Sequence, residues 1–324
     1  MPACTASSHP ALERLDGVGH VDGPSLLRWL ARIPDPRRSR GVWHTLAVVL
    51  VIAACAVVAG CRSLSAIGQW AADLPRHILG TLDARCDPRT GHRVAPSEPT
   101  LRRALRDVDG DAFDQAVCGR LAEQPGRPGP VAGMRPAVGV DGKSIRGART
   151  GDGGRIHLLA ALDHTSGAVL GQVDVDGKES EIARFQPLLN GLDLAGTAVT
   201  ADALHTQREH ARYLVEDKAA DYVLTVKRNQ PTLFAQLSQL PWADVPGRSR
   251  TRDRGHGRRE HRAVLAVTLP AGLHFPHAAQ AFRIRRTVRR LDGRVKHTET
   301  VYGITYLAPH QAGPAHLGAY LRGH

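Results

Sequence analysis

The chain has 324 residues, enough for about two domains at roughly 150 residues each, and its 43 Lys and Arg against 31 Asp and Glu leave a formal net charge of +12. The excess is mostly arginine, whose guanidinium suits bidentate phosphate contact, so composition points to a polyanionic partner; a membrane surface or an arginine-rich coding bias would give the same balance. The five cysteines, Cys4, Cys55, Cys61, Cys86 and Cys118, show no CxxC spacing, which argues against a zinc site or a disulfide framework and for free thiols in a reducing compartment.

Residues 1–23 are polar and loop-like, without a secretory signal, and read as a loose N-terminus. A small all-helical domain is expected over 24–122. Its first helix, SLLRWLARI, is capped by Ser25 and stopped before Pro34, and the following DPRRSRG gathers Arg37, Arg38 and Arg40. Thr45 to Gly60 is apolar throughout but shorter than the ~20 residues that span a bilayer, so it reads as a buried helix and no membrane partner is expected. Ser63 then caps SLSAIGQWAADL, and PSEPTLRRALRDVD starts a further helix near Ser97 or Pro99, with Arg102, Arg103 and Arg106 on its outer side. Two readings are open here: a helix-turn-helix reader of a major groove, or a plain bundle with a solvated arginine face.

The proline- and glycine-rich run at 123–136 marks a linker. Beyond it the pattern changes to strands. RIHLLAALDH and AVLGQVDVDG flank a turn at His164 to Gly167, so the first three strands form an antiparallel meander. A helix over Glu181 to Leu192 leads to a strand ending at Asp202, followed by helix, strand DYVLTVK and helix QPTLFAQLSQL. Three strands, helix, strand, helix, strand, helix is the order of a ribonuclease H-like mixed α/β sheet, in which the first and fourth strands are neighbours. A β-rich insertion is expected at about 245–307, with Asp292-Gly293 as a turn and a basic stretch, TRDRGHGRREHR, that would track phosphates along a strand edge. A short helix closes the chain at His324.

Two segments share one design. AVGVDGKSIRG, residues 137–147, is an apolar strand delivering Asp141, and AVTADALH, residues 198–205, delivers Asp202 with His205 close behind as a ligand or proton carrier. Two strand-borne carboxylates that converge can hold a pair of divalent cations ~3.5–4 Å apart for in-line phosphoryl displacement. The plainer alternatives are that Asp141-Gly142 makes a hairpin turn and that Asp202 caps the next helix.

DPRRSRG with its apolar helix, then VDGKSIRGA, VDGKESEI, TADALHTQ, YVLTVKRNQP and RGHGRREHR, in that order, resemble the DDE transposases of bacterial insertion sequences, in the subgroup of the H-repeat-associated proteins. The resemblance covers nearly the whole chain from about residue 25. It implies a ribonuclease H-like catalytic domain over 137–324, a helical associated domain before it, Asp141 and Asp202 as the first two catalytic and metal-binding acids, and two Mg²⁺ or Mn²⁺ ions. The third acid of the family, a glutamate, lies on a helix beyond an RGH tripeptide, here Arg322, Gly323 and His324, so a chain truncated before that glutamate and impaired in activity is expected. Glu260 and Glu209 are weak stand-ins. Implied partners are double-stranded DNA, as element ends and target, and a second copy of the chain, in the bacterial cytoplasm at the nucleoid, with no small-molecule cofactor. Lys143, Arg146, Lys227, Arg102, Arg103 and Arg258 are the DNA-contact candidates, each with a solvated-surface alternative. Two rival functions are a DNA-binding remnant that competes with a full-length relative and an unrelated metal-dependent nuclease.

Overall fold

The computed structural model describes residues 23–38, 42–122, 133–149, 153–175, 180–255 and 257–324. The expected loose N-terminus, most of the linker, Arg40, His256 and the Arg146 side chain lie outside the described residues. The chain divides into two compact units, Met1–Gln124 and Pro125–His324.

In the first unit the helices are α1 (Gly23–Leu30), α2 (Leu46–Val58), α3 (Leu64–Ala72), α4 (Arg76–Thr81), α5 (Glu98–Asp107) and α6 (Gly110–Ala122). The sequence LAVVLVIAACAVV is apolar on every side, which demands a central position. α2 accordingly has nine buried residues, and Leu30, Ile67, Trp70, Leu101 and Ala104 from its neighbours share its core. Thr45 caps it by accepting from the Val48 N–H at 3.4 Å. Among the described residues no helix is long and apolar enough to cross a membrane. Ser63 caps α3 as its sequence suggests, accepting from Ala66 N–H at 3.2 Å. Helix α1 already begins at Gly23, so Ser25 falls inside it and not at its N-cap position. Ser97 occupies the N-cap of α5, but its hydroxyl turns to Thr100 Oγ1 at 3.0 Å instead of to the backbone. Between α3 and α5 come α4 and a bridge pairing Cys86 with Arg93, so these two helices lack the 3–4-residue turn of a helix-turn-helix. Cys55, Cys61, Cys86 and Cys118 are free thiols; Cys4 lies outside the described residues.

The second unit is built on one nine-stranded sheet. Its strands are β1 (Ala137–Arg149), β2 (Arg155–Asp163), β3 (Val169–Asp174), β4 (Ala198–Ala201), β5 (Asp221–Val226), β6 (Ser249–Gly255), β7 (Arg258–Thr268), β8 (Gln280–Arg290) and β9 (Val295–Thr305). They lie in the order β3-β2-β1-β4-β5-β9-β8-β7-β6. β1, β4 and β5 are mutually parallel and the other pairings antiparallel. Parallel strands need cover on both faces. α7 (Glu181–Asn190), α8 (Arg208–Arg212) with the π turn Tyr213–Asp217, and α9 (Pro231–Ser238) pack on one face through Phe185, Leu189, Leu214 and Leu237. α10 (Pro314–Gly323) covers the other through Leu317 and Tyr320.

Two expectations change. The hairpin reading of Asp141-Gly142 fails, since β1 runs through both residues, paired to Ala160 and Leu159 of β2; the real turns carry positive-φ glycines, Gly167 and Gly293. Nor does Asp141 end its strand, because β1 continues to Arg149. The β-rich stretch is continuous with the sheet. β9 pairs with β5 from Val223↔Thr305 to Val226↔Tyr302, so the segment extends the sheet.

Candidate active site

The parallel pairing of β1 with β4 runs from Ala137↔Ala198 to Val140↔Ala201. The next residue on each strand is Asp141 or Asp202, so the two carboxylates leave neighbouring strands at the same level, with strands about 4.8 Å apart. Alternation decides the face. Val138, Val140, Val199 and Ala201 join the core under α7, whereas Ala137 and Ala198 join the core under α10. Asp141 and Asp202 fall in step with the second set. Both therefore sit at the carboxyl end of β4, on the α10 side.

Their surroundings differ. Asp141 is exposed and Asp202 half-buried. Asp202 Oδ1 accepts from the Leu204 N–H at 2.9 Å, capping the turn Ala203–His205, so the capping alternative holds as well and uses one oxygen. No described residue hydrogen-bonds the Asp141 carboxylate. His324, at the end of α10, feels both acids: burial pushes its pKa down, and Asp141 and Asp202 oppose that shift. Its Nδ1 lies 3.2 Å from Thr200 Oγ1, and the same hydroxyl lies 2.9 Å from His164 Nε2. Burial foremost, then His324, brings His164 down to about 4, which leaves the His164 ring neutral near pH 7. Gly139 and Gly323 make room for it; a Cβ at 323 would stand 2.5 Å from His164 Nδ1.

A second group lies on the α7 side of the same strand end. Ser144 Oγ is 2.9 Å from His157 Nδ1, His157 Nε2 is 2.7 Å from Glu181 Oε1, and His205 Nε2 is 3.5 Å from Glu181 Oε2. A Cβ on residue 142 would meet both Glu181 oxygens at 2.5 Å, so Gly142 follows Asp141 because this carboxylate lies over it. His205 is not the open ligand its place in the sequence suggests. It is 1% exposed, tilted against the Phe185 ring at 4.9 Å and stacked with His210 at 5.6 Å, and burial holds its pKa down.

Lys143 is exposed, two residues past Asp141 and on its side of β1. Lys227 is exposed just beyond β5, at the same end of the sheet as Asp202. The backbone of Arg146 continues β1. Arg102 and Arg103 belong to the other unit, on α5; Arg102 Nε donates to Glu98 at 3.0 Å and Arg103 Nε to the Pro99 carbonyl at 3.2 Å. Arg258 opens β7, opposite Arg290. Glu260 is 6% exposed and holds Arg286 (2.6 and 2.8 Å) and Arg262 (2.5 Å), and Glu209 pairs with Arg212; neither reaches the aspartates as a stand-in. Sequence reading missed Glu181, His164, Thr200 and His324. The Ser180-Glu181 helix start inside VDGKESEI was the only local signal for the first of these.

Hard oxygen donors suit Mg²⁺ or Mn²⁺, and Mg²⁺ is commonly held by one or two carboxylates completed by water and substrate phosphate. Asp141 and the uncommitted oxygen of Asp202 fit that description. Among the described residues no group of three or more His, Cys, Asp or Glu is arranged to hold a metal.

The comparisons agree with this geometry. A family model described as DDE_Tnp_1-associated matches residues 27–119, and one described as Transposase DDE domain matches 133–315, more than half of the chain. The chain is 32% identical over 251 residues to "Putative transposase YncI" of Escherichia coli O157:H7, covering 74% of this chain and 60% of that protein. The protein of the same name in strain K12 matches with equal identity over 94% of its length. "H repeat-associated putative transposase YhhI" of strain K12 is 26% identical over 76% of this chain and 63% of its own. DDE transposases generally use divalent metal ions. The chain belongs to the DDE transposase family, in the subgroup of the H-repeat-associated proteins.

Proposed function

We propose that the chain performs metal-dependent DNA cleavage and strand transfer as an insertion-sequence transposase, on a ribonuclease H-like catalytic domain over 137–324. A helical domain at 24–122 and a linker at 123–136 precede it. The observation that supports this reading best is the β1–β4 register, which sets Asp141 and Asp202 side by side on one face of the sheet. A pair of Mg²⁺ or Mn²⁺ ions, when bound, supplies an activated water or 3′-hydroxyl and stabilises the leaving oxygen. Asp141 and Asp202 are the carboxylates that would hold them. Lys143, Arg146 and Lys227 would orient the attacked phosphate, while Arg102, Arg103 and Arg258 would track the backbone of double-stranded element ends and target. The working form would be a homo-oligomer at the bacterial nucleoid in the cytoplasm.

Two carboxylates hold a cation pair less firmly than three, so these 324 residues alone should turn over slowly. Incubation with terminal-repeat DNA and Mn²⁺ tests this. Slow nicking that disappears in Asp141→Asn is expected, and equal nicking by wild type and Asp141→Asn overturns the catalytic assignment. The arginine-rich strands β6 to β8 favour one second reading, an inactive binder that competes with a full-length transposase; binding that falls steeply with salt, without product, selects it.

A further inference from the structure

The cations of the extended sheet are sorted by face. In the register of β6, β7 and β8, Arg254 stands opposite Arg259 and Arg259 opposite Arg289, while Arg252 pairs with His261, and Arg250 and Arg285 both pair with Ala263. Alternation puts Arg250, Arg252, Arg254, Arg259, Arg285 and Arg289 on one face. None of the β6, β7 and β8 strand residues on that face is acidic. Asp253, Glu260 and Glu299 all fall on the other face, where Glu260 holds Arg262 and Arg286, and Asp253 lies 3.4 Å from Arg262. On the arginine face no described residue forms an ion pair with any of the six, and Arg250, Arg252, Arg254, Arg259 and Arg285 are exposed.

Like charges directly opposite on neighbouring strands destabilise a sheet. The row Arg254, Arg259, Arg289 contains two such contacts. Strand spacing of about 4.8 Å and a same-face repeat of about 6.6 Å turn the six side chains into a grid of positive charge with nothing of this unit's strands to neutralise it. A phosphodiester backbone is the partner that does.

We propose that the arginine face of β6, β7 and β8 is a seat for the backbone of duplex DNA, separate from the cleavage centre because Asp141 and Asp202 project from the opposite face of the same sheet. The proposal rests on the DNA reading above and adds where the duplex is held away from the chemistry. It implies that these arginines set affinity, not the rate on bound DNA.

The test uses the full chain and a terminal-repeat duplex, with affinity measured by fluorescence anisotropy at several salt concentrations. Arg254→Gln/Arg259→Gln/Arg289→Gln should weaken binding by about tenfold or more near physiological salt and reduce the slope of log K against log[salt] by about two to three, near 0.9 per phosphate contact. The Lys triple variant should keep wild-type slope. Relief of repulsion should leave the melting temperature of the Gln variant unchanged or raised, whereas a purely structural role would lower it. Nicking at saturating DNA should match wild type, with the loss confined to KM. Should the Gln variant fail to fold, phenylglyoxal modification of the wild-type chain decides: bound duplex should protect Arg254, Arg259 and Arg289. Wild-type affinity and slope in the Gln variant, or unchanged modification with DNA, overturns the proposal. A chain that binds through this face but never nicks sinks only the catalytic reading; a chain that nicks with the face neutralised and its affinity intact sinks only the face.

Discussion

Two carboxylate settings on one sheet make the informative contrast. Glu260, on β7, is buried and spends its oxygens on two guanidiniums. Asp141, on β1, is exposed, and no described residue bonds it. A paired acid contributes to stability and is closed to cations, while an exposed acid that no described residue bonds contributes little to stability and stays open to a ligand. The difference separates scaffold from candidate chemistry more sharply than residue type does, since both acids occur among glycines and basic residues in the sequence.

The contrast is easiest to break at the aspartates. Asp141→Asn and Asp202→Asn should each lower metal-dependent nicking by about a hundredfold or more, in line with the loss of a catalytic charge, with thermal melts within about 0.5 kcal/mol of wild type. Large destabilisation by Asp141→Asn would place it with Glu260. Glu260→Ala should do the reverse, destabilising by about 2 kcal/mol in urea unfolding without loss of nicking on saturating DNA. Its Arg286 hydrogen bonds, with Arg262 beside them, hold the Glu260 carboxyl below its ordinary value of 4.5. The folded chain therefore binds that proton less readily than the unfolded one. The contribution of Glu260 is fully present above pH 4.5, is lost as pH falls through the lowered folded value, and should be missing from the acid limb of Glu260→Gln.

Gly142→Ala sharpens the comparison from the other side. The added methyl would push aside the end of the Glu181 side chain and separate it from His157, and losing a hydrogen bond to a charged group costs about 1.5–3 kcal/mol. Because Glu181 lies on the α7 side, the expected result in denaturant unfolding is lower stability with Mn²⁺ affinity falling less than in Asp141→Asn. Thr200→Val should have the smallest effect, about 1 kcal/mol in the same measurement, from the hydroxyl shared by His164 and His324.

Much of the architecture was legible because its causes are local. The all-apolar α2, the Ser63 cap, the turns at Gly167 and Gly293, and the meander leading to a crossover helix follow from nearest-neighbour chemistry. Asp202 was legible as a strand end for the same reason, whereas Asp141 was not, since β1 continues past it to Arg149; the roles of both acids came from the resemblance in ordered motifs. The hairpin reading of Asp141-Gly142 failed because a long-range partner, β2, claims those residues; a two-residue signal competes poorly with a paired ladder. His205 was misread because its burial depends on Phe185 and His210, which no spacing rule brings together.

The residues alone were enough for most of the strand segments, though not for β6, for the alternation along them, and for a basic chain that carries one acid on each of two short apolar strands. Tertiary structure alone decided the register: which side of the sheet receives Asp141 and Asp202, that Glu181 lies over Gly142, and that Arg254, Arg259 and Arg289 line up in one row. The physical reason is that alternation is a property of one strand, while the alignment between strands is set by the packing of side chains distant in the chain, and a slip of one residue would send every one of them to the other face.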